Sequence, residues 1–130
     1  MAKPDQEFFD TEALPWSPVA HQPGVSERIL AQDPSGGYLT RIVRWAPGVD
    51  TSPAGAVVHD YFEEVLLLSG SIHDMTLGRT FSAGWYACRP PGMVHGPWRT
   101  ADGCVMFEVR YPGGVSAPSG TQPAARREAD

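Results

Sequence analysis

Apolar and polar residues alternate in short runs through the middle of the chain, and these runs are enriched in Val, Leu, Tyr, Trp and Phe. Such residues favour β-strands, whose side chains point to alternate faces of a sheet. The runs cover residues 38–45, 64–68, 71–77, 85–89 and 104–111. None leaves room for a long helix, so the pattern predicts a series of short strands.

Turn-forming residues separate these runs. Breaks fall at residues 47–48, 69–70, 77–78, 83–84, 91–92 and 102–103, each of which contains a glycine. Turn signals that recur about every 8 to 12 residues are typical of all-β sandwiches and barrels. We therefore predict an all-β, antiparallel barrel or double-sheet architecture.

The chain divides into three parts. Prolines interrupt residues 1–36 repeatedly, which predicts an extended N-terminal arm with one short strand at residues 25–31. Residues 37–111 contain the strand-like runs and predict the barrel itself. Residues 112–130 are rich in Gly, Pro, Ser and Ala and predict a disordered tail. A chain of 130 residues accommodates one such domain.

Composition and charge exclude several partners. A net charge of -5 gives no basic surface for phosphate backbones, so we expect no nucleic acid. No stretch reaches the roughly 20 apolar residues of a membrane helix, and the acidic start does not resemble a signal peptide. We expect a soluble cytoplasmic protein in which Cys88 and Cys104 are reduced thiols on strands.

Two segments carry candidate chemistry. His59 and Glu63 lie four positions apart, and in an extended chain residues 59, 61 and 63 share one face. An imidazole and a carboxylate that converge can bind a divalent metal such as iron, manganese, nickel or zinc. A third donor, His95, follows a rigid Pro-Pro-Gly turn at residues 90–92 that fixes its direction.

The segment that ends in His95 resembles the second motif of the cupin superfamily. That motif reads Gly, five residues, Pro, any residue, Gly, two residues, His. Gly84, Pro90, Gly92 and His95 match it without a gap.

The earlier segment resembles the first cupin motif, which reads Gly, five residues, His, any residue, His, three or four residues, Glu, six residues, Gly. His59, Glu63 and Gly70 fall on the second His, the Glu and the final Gly. Val57 stands where the first His is expected, so the fourth protein ligand of the family is missing. The resemblance covers roughly residues 38–111.

This resemblance implies an RmlC-like jelly roll, an antiparallel double-stranded β-helix, with a metal held by His59, Glu63 and His95. Two histidines and one carboxylate leave positions open for substrate or dioxygen, as in non-haem iron oxygenases. The leading hypothesis is therefore a metal-dependent, dioxygenase-like enzyme that acts on a small carbonyl, enol or aromatic substrate. Resemblance to small cupins also favours a homodimer.

Two other hypotheses stay open, the first because of the missing ligand and the second because of a further resemblance. The first is a cupin lyase, cyclase or isomerase, with or without metal, in which His59, Tyr61 and His95 move protons. The second is a non-catalytic binding or sensing module, because the motifs also resemble the cupin part of ChrR-type anti-sigma factors. The sigma-binding helical domain of those proteins is absent from this sequence.

Other polar residues compete for roles in the site. The spacing to Gly70 favours Glu63 over Glu64 as a ligand. His73 could replace the missing ligand, but we expect it to be an ordinary polar neighbour. Glu108 and Arg110 lie on one face of the last strand; turned inward, Glu108 needs an arginine partner such as Arg110, Arg41 or Arg44. We favour the outward orientation, with both as surface charges.

Overall fold

The computed structural model describes residues 2–113, and most of their regular structure is antiparallel β-sheet. The strands are β1 (Ser17–Pro18), β2 (Val25–Gln32), β3 (Leu39–Trp45), β4 (Tyr61–Asp74), β5 (Arg79–Ser82), β6 (Tyr86–Arg89), β7 (Trp98–Arg99) and β8 (Cys104–Pro112). The helices in this range are two 3-10 turns, Thr11–Ala13 and Ser52–Ala54. No helix of the described chain is long and apolar enough to cross a membrane.

Strand β4 joins the two layers of the fold. The sheet order is β1-β2-β3-β8-β4-β5, and β6 and β7 also pair with β4. The first part of β4 lies between β8 and β6, whereas its last residues pair with β5 and β7. Every pairing is antiparallel, which confirms the predicted all-β jelly-roll architecture.

Gly70 marks the point where β4 changes layers. The register of β4 against β8 shifts between Leu67 and Ser69, and Gly70 then pairs with Cys104. Its φ is +76°, and a Cβ atom there would lie 2.1 Å from the carbonyl oxygen of Gly103. A side chain does not fit there, so the glycine that ends the first motif allows the backbone of β4 to pass close to Gly103 as the strand changes layers.

The proline-rich N-terminal segment contributes to the sheet. The strand predicted at residues 25–31 is present as β2, which pairs along β3 with one bulge. The division of the chain after residue 36 stays a prediction. At the other end β8 runs through Pro112, and residues 114–130 of the predicted tail lie outside the described residues.

Alternate residues of β3, β4 and β8 turn into the barrel and divide its interior into two ends. One end, here called the apolar end, consists of Val43, Trp45, Leu67, Cys104 and Met106, all part of one buried cluster. Burying an aliphatic or aromatic side chain of this size contributes about 1.5–3 kcal/mol, so this end stabilises the fold.

The opposite end of the interior carries ionised side chains and is here called the charged end. It consists of Arg41, Glu63, Glu108 and Arg110 from the same three strands, together with Arg89 from β6. In the ladders Arg41 pairs with Glu108, and Glu63 pairs with Arg110 on one side and Arg89 on the other. The register itself therefore places opposite charges side by side.

Candidate metal site

The two cupin-like segments meet at the charged end. His59 Nε2 lies 3.1 Å from His95 Nε2, and Glu63 Oε1 lies 3.6 Å from the first and 3.8 Å from the second. The side chains of Glu63 and His95 are 8% and 4% exposed, and that of His59 is 19% exposed. Three potential metal-ligand atoms thus converge in a largely buried position.

The spacing of these atoms fits a single ion. A triangle with sides of 3.1, 3.6 and 3.8 Å has its equidistant point about 2.0 Å from each corner. Bonds from a divalent transition metal to imidazole nitrogen or carboxylate oxygen are about 2.0–2.2 Å long. The donor set, two nitrogens and one oxygen, suits iron, manganese, nickel or zinc.

The backbone around His95 fixes its position. Met93 N donates to Pro90 O, and Gly92, with φ +86°, donates its N–H to His59 O at 2.9 Å. His95 and Val57 then exchange two backbone hydrogen bonds of 2.8 and 2.9 Å. The position at which the family's first histidine is missing thus still supports the last one.

The imidazole of His95 presents a lone pair to the site. Its Nδ1–H donates to the carbonyl oxygen of Met93 at 2.9 Å, which leaves Nε2 unprotonated in the neutral ring. Burial lowers the pKa of His95, an effect that the Met93 carbonyl opposes and Arg89 reinforces. The neutral, ligating form is therefore favoured near pH 7.

A stacked tyrosine orients His59. The rings of His59 and Tyr61 are 4.4 Å apart and inclined by 10°. Burial lowers the pKa of His59, with further effects from Arg110 and Arg89. Tyr61 is absent from the lining of the cavity that holds the three candidate ligands. The structure thus brings Tyr61, predicted as a proton carrier, against a ligand ring and outside the cavity.

Two arginines hold the carboxylate of Glu63. Arg89 Nη1 donates to Oε1 at 3.1 Å, and Arg110 Nε lies 3.8 Å from Oε2. The guanidinium groups also lie over aromatic rings, Arg89 over Trp98 and Arg110 over Tyr61. Because both carboxylate oxygens face a cation, the side chain of Glu63 keeps a fixed orientation.

The expectation that Glu108 faces outward was wrong. It is 4% exposed, accepts from Arg41 Nη2 at 3.0 Å and accepts a second hydrogen bond from Arg110 Nε. Burial raises the pKa of Glu108, while Arg41 and Arg110 oppose that effect. Arg41 in turn donates to Glu27 on β2. The partners make burial possible, since an unpaired charge in this position would be strongly unfavourable.

A cavity of about 410 Å³ opens beside these groups. Its wall includes the three candidate ligands and residues of both ends of the interior, among them Trp45, Met106 and Arg110. Val57 also lines it. This volume falls in the range of small-molecule sites, about 300–1,000 Å³.

The competing polar residues lie elsewhere. Glu64 is on the outer face, where its carboxylate accepts from the hydroxyls of Tyr86 and Tyr111. His73 is on β4 with its side chain on the opposite face from buried Ile72, and its Nδ1 contacts Thr80 at 2.9 Å. His73 therefore does not replace the missing ligand.

Sequence reasoning named Arg41 and Arg110 only as partners for an inward Glu108, the orientation it did not favour, and it did not include Arg89 among the site residues. Arg41 alternates with Leu39, Val43 and Trp45 along β3, all of which are buried. The same alternation on β8 joins Glu108 to Cys104 and Met106. A charged residue in phase with buried apolar ones on two strands was the available signal.

The double-sheet fold and its histidine-glutamate pocket define the class of this protein as a cupin. Residues 4–112 match the ChrR cupin-like domain, and the chain belongs to this family. No curated protein matches the sequence of this chain.

Three solved structures share the fold. An RmlC-like cupin from Shewanella frigidimarina aligns with a TM-score of 0.67 and 15% identity over 86% of this chain and 95% of its own. The polyketide cyclase RemF from Streptomyces resistomycificus aligns with a TM-score of 0.63 and 18% identity over 82% of this chain and 79% of its own. An acetylacetone dioxygenase from Acinetobacter johnsonii aligns with a TM-score of 0.60 and 16% identity over 86% of this chain and 80% of its own. At these identities the likeness concerns the fold.

Proposed function

We propose that this chain is a metal-dependent enzyme that acts on a small carbonyl or enol compound, with dioxygenase chemistry as the leading form. The convergence of His59, Glu63 and His95 about one point, roughly 2.0 Å from each ligand atom, carries the proposal. The site opens into a cavity sized for a small molecule. The acetylacetone dioxygenase from A. johnsonii gives a precedent on the same fold.

Each part of the site has a role in this proposal. His59, Glu63 and His95 hold the ion, and three protein ligands leave positions for substrate. When bound, a divalent ion supplies a Lewis acid that polarises a carbonyl or enolate oxygen, or a centre that activates dioxygen. Tyr61 and the Met93 carbonyl keep the two imidazoles in orientation. The apolar end packs against the substrate and excludes water.

A second candidate is a lyase, cyclase or isomerase that works by acid-base chemistry. The observation in its favour is the contact between His59 Nε2 and His95 Nε2 at 3.1 Å. Because His95 Nδ1 donates to Met93, its Nε2 accepts and that of His59 donates. The cavity thus contains one proton donor next to one acceptor, which proton transfer beside a carbonyl requires. RemF, named as a polyketide cyclase, shares the fold.

Metal analysis tests the leading proposal. Purified protein is loaded with iron, manganese, nickel or zinc, dialysed, and assayed for bound metal. We expect one ion per chain in the wild type and in His73→Ala, a matched control on the other face of β4. We expect loss of the ion in His59→Ala, His95→Ala and Glu63→Gln. A wild-type protein that retains none of these metals overturns the metal-dependent function.

Turnover separates the two candidates. The metal-loaded protein is incubated with β-dicarbonyl compounds while dioxygen uptake is recorded. Uptake that depends on both metal and substrate supports the dioxygenase. Turnover that continues without dioxygen and in the presence of a chelator supports the acid-base enzyme instead. The homodimer and the absence of nucleic-acid and membrane partners stay predictions.

A further inference from the structure

The inference concerns the class of substrate and rests on the proposed function. Inside the barrel, ionised side chains alternate in sign along one connected series. Its members are Glu27, Arg41, Glu108, Arg110, Glu63 and Arg89. Three acids and three arginines give this series a net charge of zero.

A bound metal changes that balance. A divalent ion held by His59, Glu63 and His95 would raise the charge of the enclosed series from zero to +2, since imidazole ligands are neutral. Excess charge in a largely buried position is unfavourable unless a counter-charge accompanies it. An anionic ligand in the adjoining cavity supplies that counter-charge.

Two of the arginines have donors left for such a ligand. Arg110 uses Nε for Glu108, and its outer nitrogens make no hydrogen bond to residues 2–113. Arg89 uses Nη1 for Glu63, and its other nitrogens likewise have no hydrogen-bond partner in the described chain. Both line the cavity, and their side chains are 27% and 16% exposed. A guanidinium edge with free donors suits bidentate binding of a carboxylate.

Arg41 differs from these two arginines. It lies in the same wall but is 6% exposed, and Glu27 and Glu108 occupy two of its nitrogens. Its Nε is buried without a partner among the described residues and is closed to solvent. Arg41 therefore holds Glu108, and through it Arg110, in position.

We propose that the substrate of this site carries a carboxylate, which Arg110 and Arg89 bind while its carbonyl oxygen faces the two histidines. Glu63 links the two regions, because Oε1 lies near both imidazoles and Arg89 while Oε2 faces Arg110. A molecule with a carbonyl group and a carboxylate a few bonds apart has a group for each of these two regions of the cavity.

A matched pair of compounds tests the proposal. 2,4-Dioxopentanoate and 2,4-pentanedione are both β-diketones and differ by one carboxylate in place of a methyl group. Their binding to zinc-loaded protein is measured by isothermal titration calorimetry without dioxygen. We expect the acid to bind at least about tenfold tighter, as hydrogen bonds to charged groups imply. Equal affinities in the wild type overturn the proposal.

Arginine variants test which residues cause the preference for the carboxylate compound. We expect Arg110→Gln and Arg89→Gln, each titrated with saturating zinc, to lower affinity for the acid about 10- to 100-fold and to lower affinity for the diketone much less. Arg79→Gln, an exposed arginine outside the cavity lining, should leave both affinities unchanged. If Arg110→Gln does not fold, Arg89→Gln still tests the proposal, because Arg89 bonds Glu63 and makes no hydrogen bond to buried Glu108. A preference that survives both substitutions overturns the assignment.

The outcomes distinguish this proposal from the function on which it rests. Wild-type protein that binds zinc but not the carboxylate preferentially overturns the substrate class and leaves the metal function standing. Wild-type protein that binds no zinc overturns the metal function. In that case the same titration without metal decides the substrate class, and an absent preference overturns it as well.

Discussion

The two ends of the barrel interior are built on the same three strands and have opposite chemistry. At the apolar end, β3 and β8 turn Trp45 and Met106 inward, and the contacts are those of an ordinary core. At the charged end the same alternation turns in Arg41 and Glu108. Strand geometry is shared, so the difference arises from the side chains alone.

This difference shows which interior residues serve stability and which serve the site. Each apolar side chain stabilises the fold independently, because water exclusion needs no specific partner. Each charged side chain is tolerated only with its partner, and buried ion pairs add little net stability. Arg41 even leaves Nε unsatisfied. We interpret the charged end as retained for ligand binding, at some expense of stability.

Breaking one pair at the charged end should produce the largest effect. We expect Glu108→Ala to lower the free energy of unfolding by about 3–5 kcal/mol, because buried Arg41 loses one of its two carboxylate partners and Arg110 loses the acceptor of its Nε. The joint replacement Arg41→Met and Glu108→Leu should recover most of that loss. Urea unfolding measures both. Equal losses in the single and joint variants would show that the charges do not act as a unit.

The apolar end should respond to pH through Cys104. Burial raises the pKa of its thiol to about 11 from an ordinary value of 9.0. The folded state therefore holds the proton more tightly than the unfolded chain, and this contribution is present below pH 9 and lost as the pH rises to about 11. We expect a loss on the order of 1–2 kcal/mol. The difference in free energy of unfolding between wild type and Cys104→Ala, followed from pH 8 to 11, measures it.

Restoring the missing histidine ligand should strengthen metal binding at the charged end. Val57 lines the cavity at the position of the family's first histidine. We expect Val57→His to raise metal affinity at least about tenfold by completing a four-ligand set. Competition with a coloured chelator measures the affinity. Val57→Leu is the control, and unchanged affinity in Val57→His would show that residue 57 does not reach the ion.

Removing the stack on His59 should have the smallest effect. We expect Tyr61→Ala to weaken metal binding by about tenfold at most, because His59 loses the ring that orients it. Tyr61→Phe retains the ring and should bind metal as the wild type does. The same chelator titration applies. If turnover disappears in Tyr61→Phe while metal binding persists, the hydroxyl has the proton-carrying role predicted from sequence.

The strands and the candidate ligands were visible in the sequence because their signals are local. Period-two alternation and regular glycines marked the strands, and the motif from Gly84 to His95 lies within one segment. The spacing from Glu63 to Gly70 also distinguished Glu63 from Glu64. Such signals depend on neighbouring residues and need no knowledge of distant contacts.

The remainder depends on contacts between distant segments. Whether Glu108 faces inward depends on Arg41, which lies 67 positions away in the chain. The expected shared face of residues 59, 61 and 63 is a local feature and agrees with the structure, in which the rings of His59 and Tyr61 stack and His59 Nε2 lies 3.6 Å from Glu63 Oε1. The approach of His95 to this face depends instead on the backbone hydrogen bonds that join it to Val57.

The paired hydrogen bonds between Val57 and His95 have a consequence for protein engineering. They join the segment before β4 to the loop before β7, so the two stretches form one structural unit although they are far apart in sequence. Replacing either stretch alone with that of another cupin would combine two segments whose backbones are not matched for this pairing. A chimera should therefore take both stretches from the same parent.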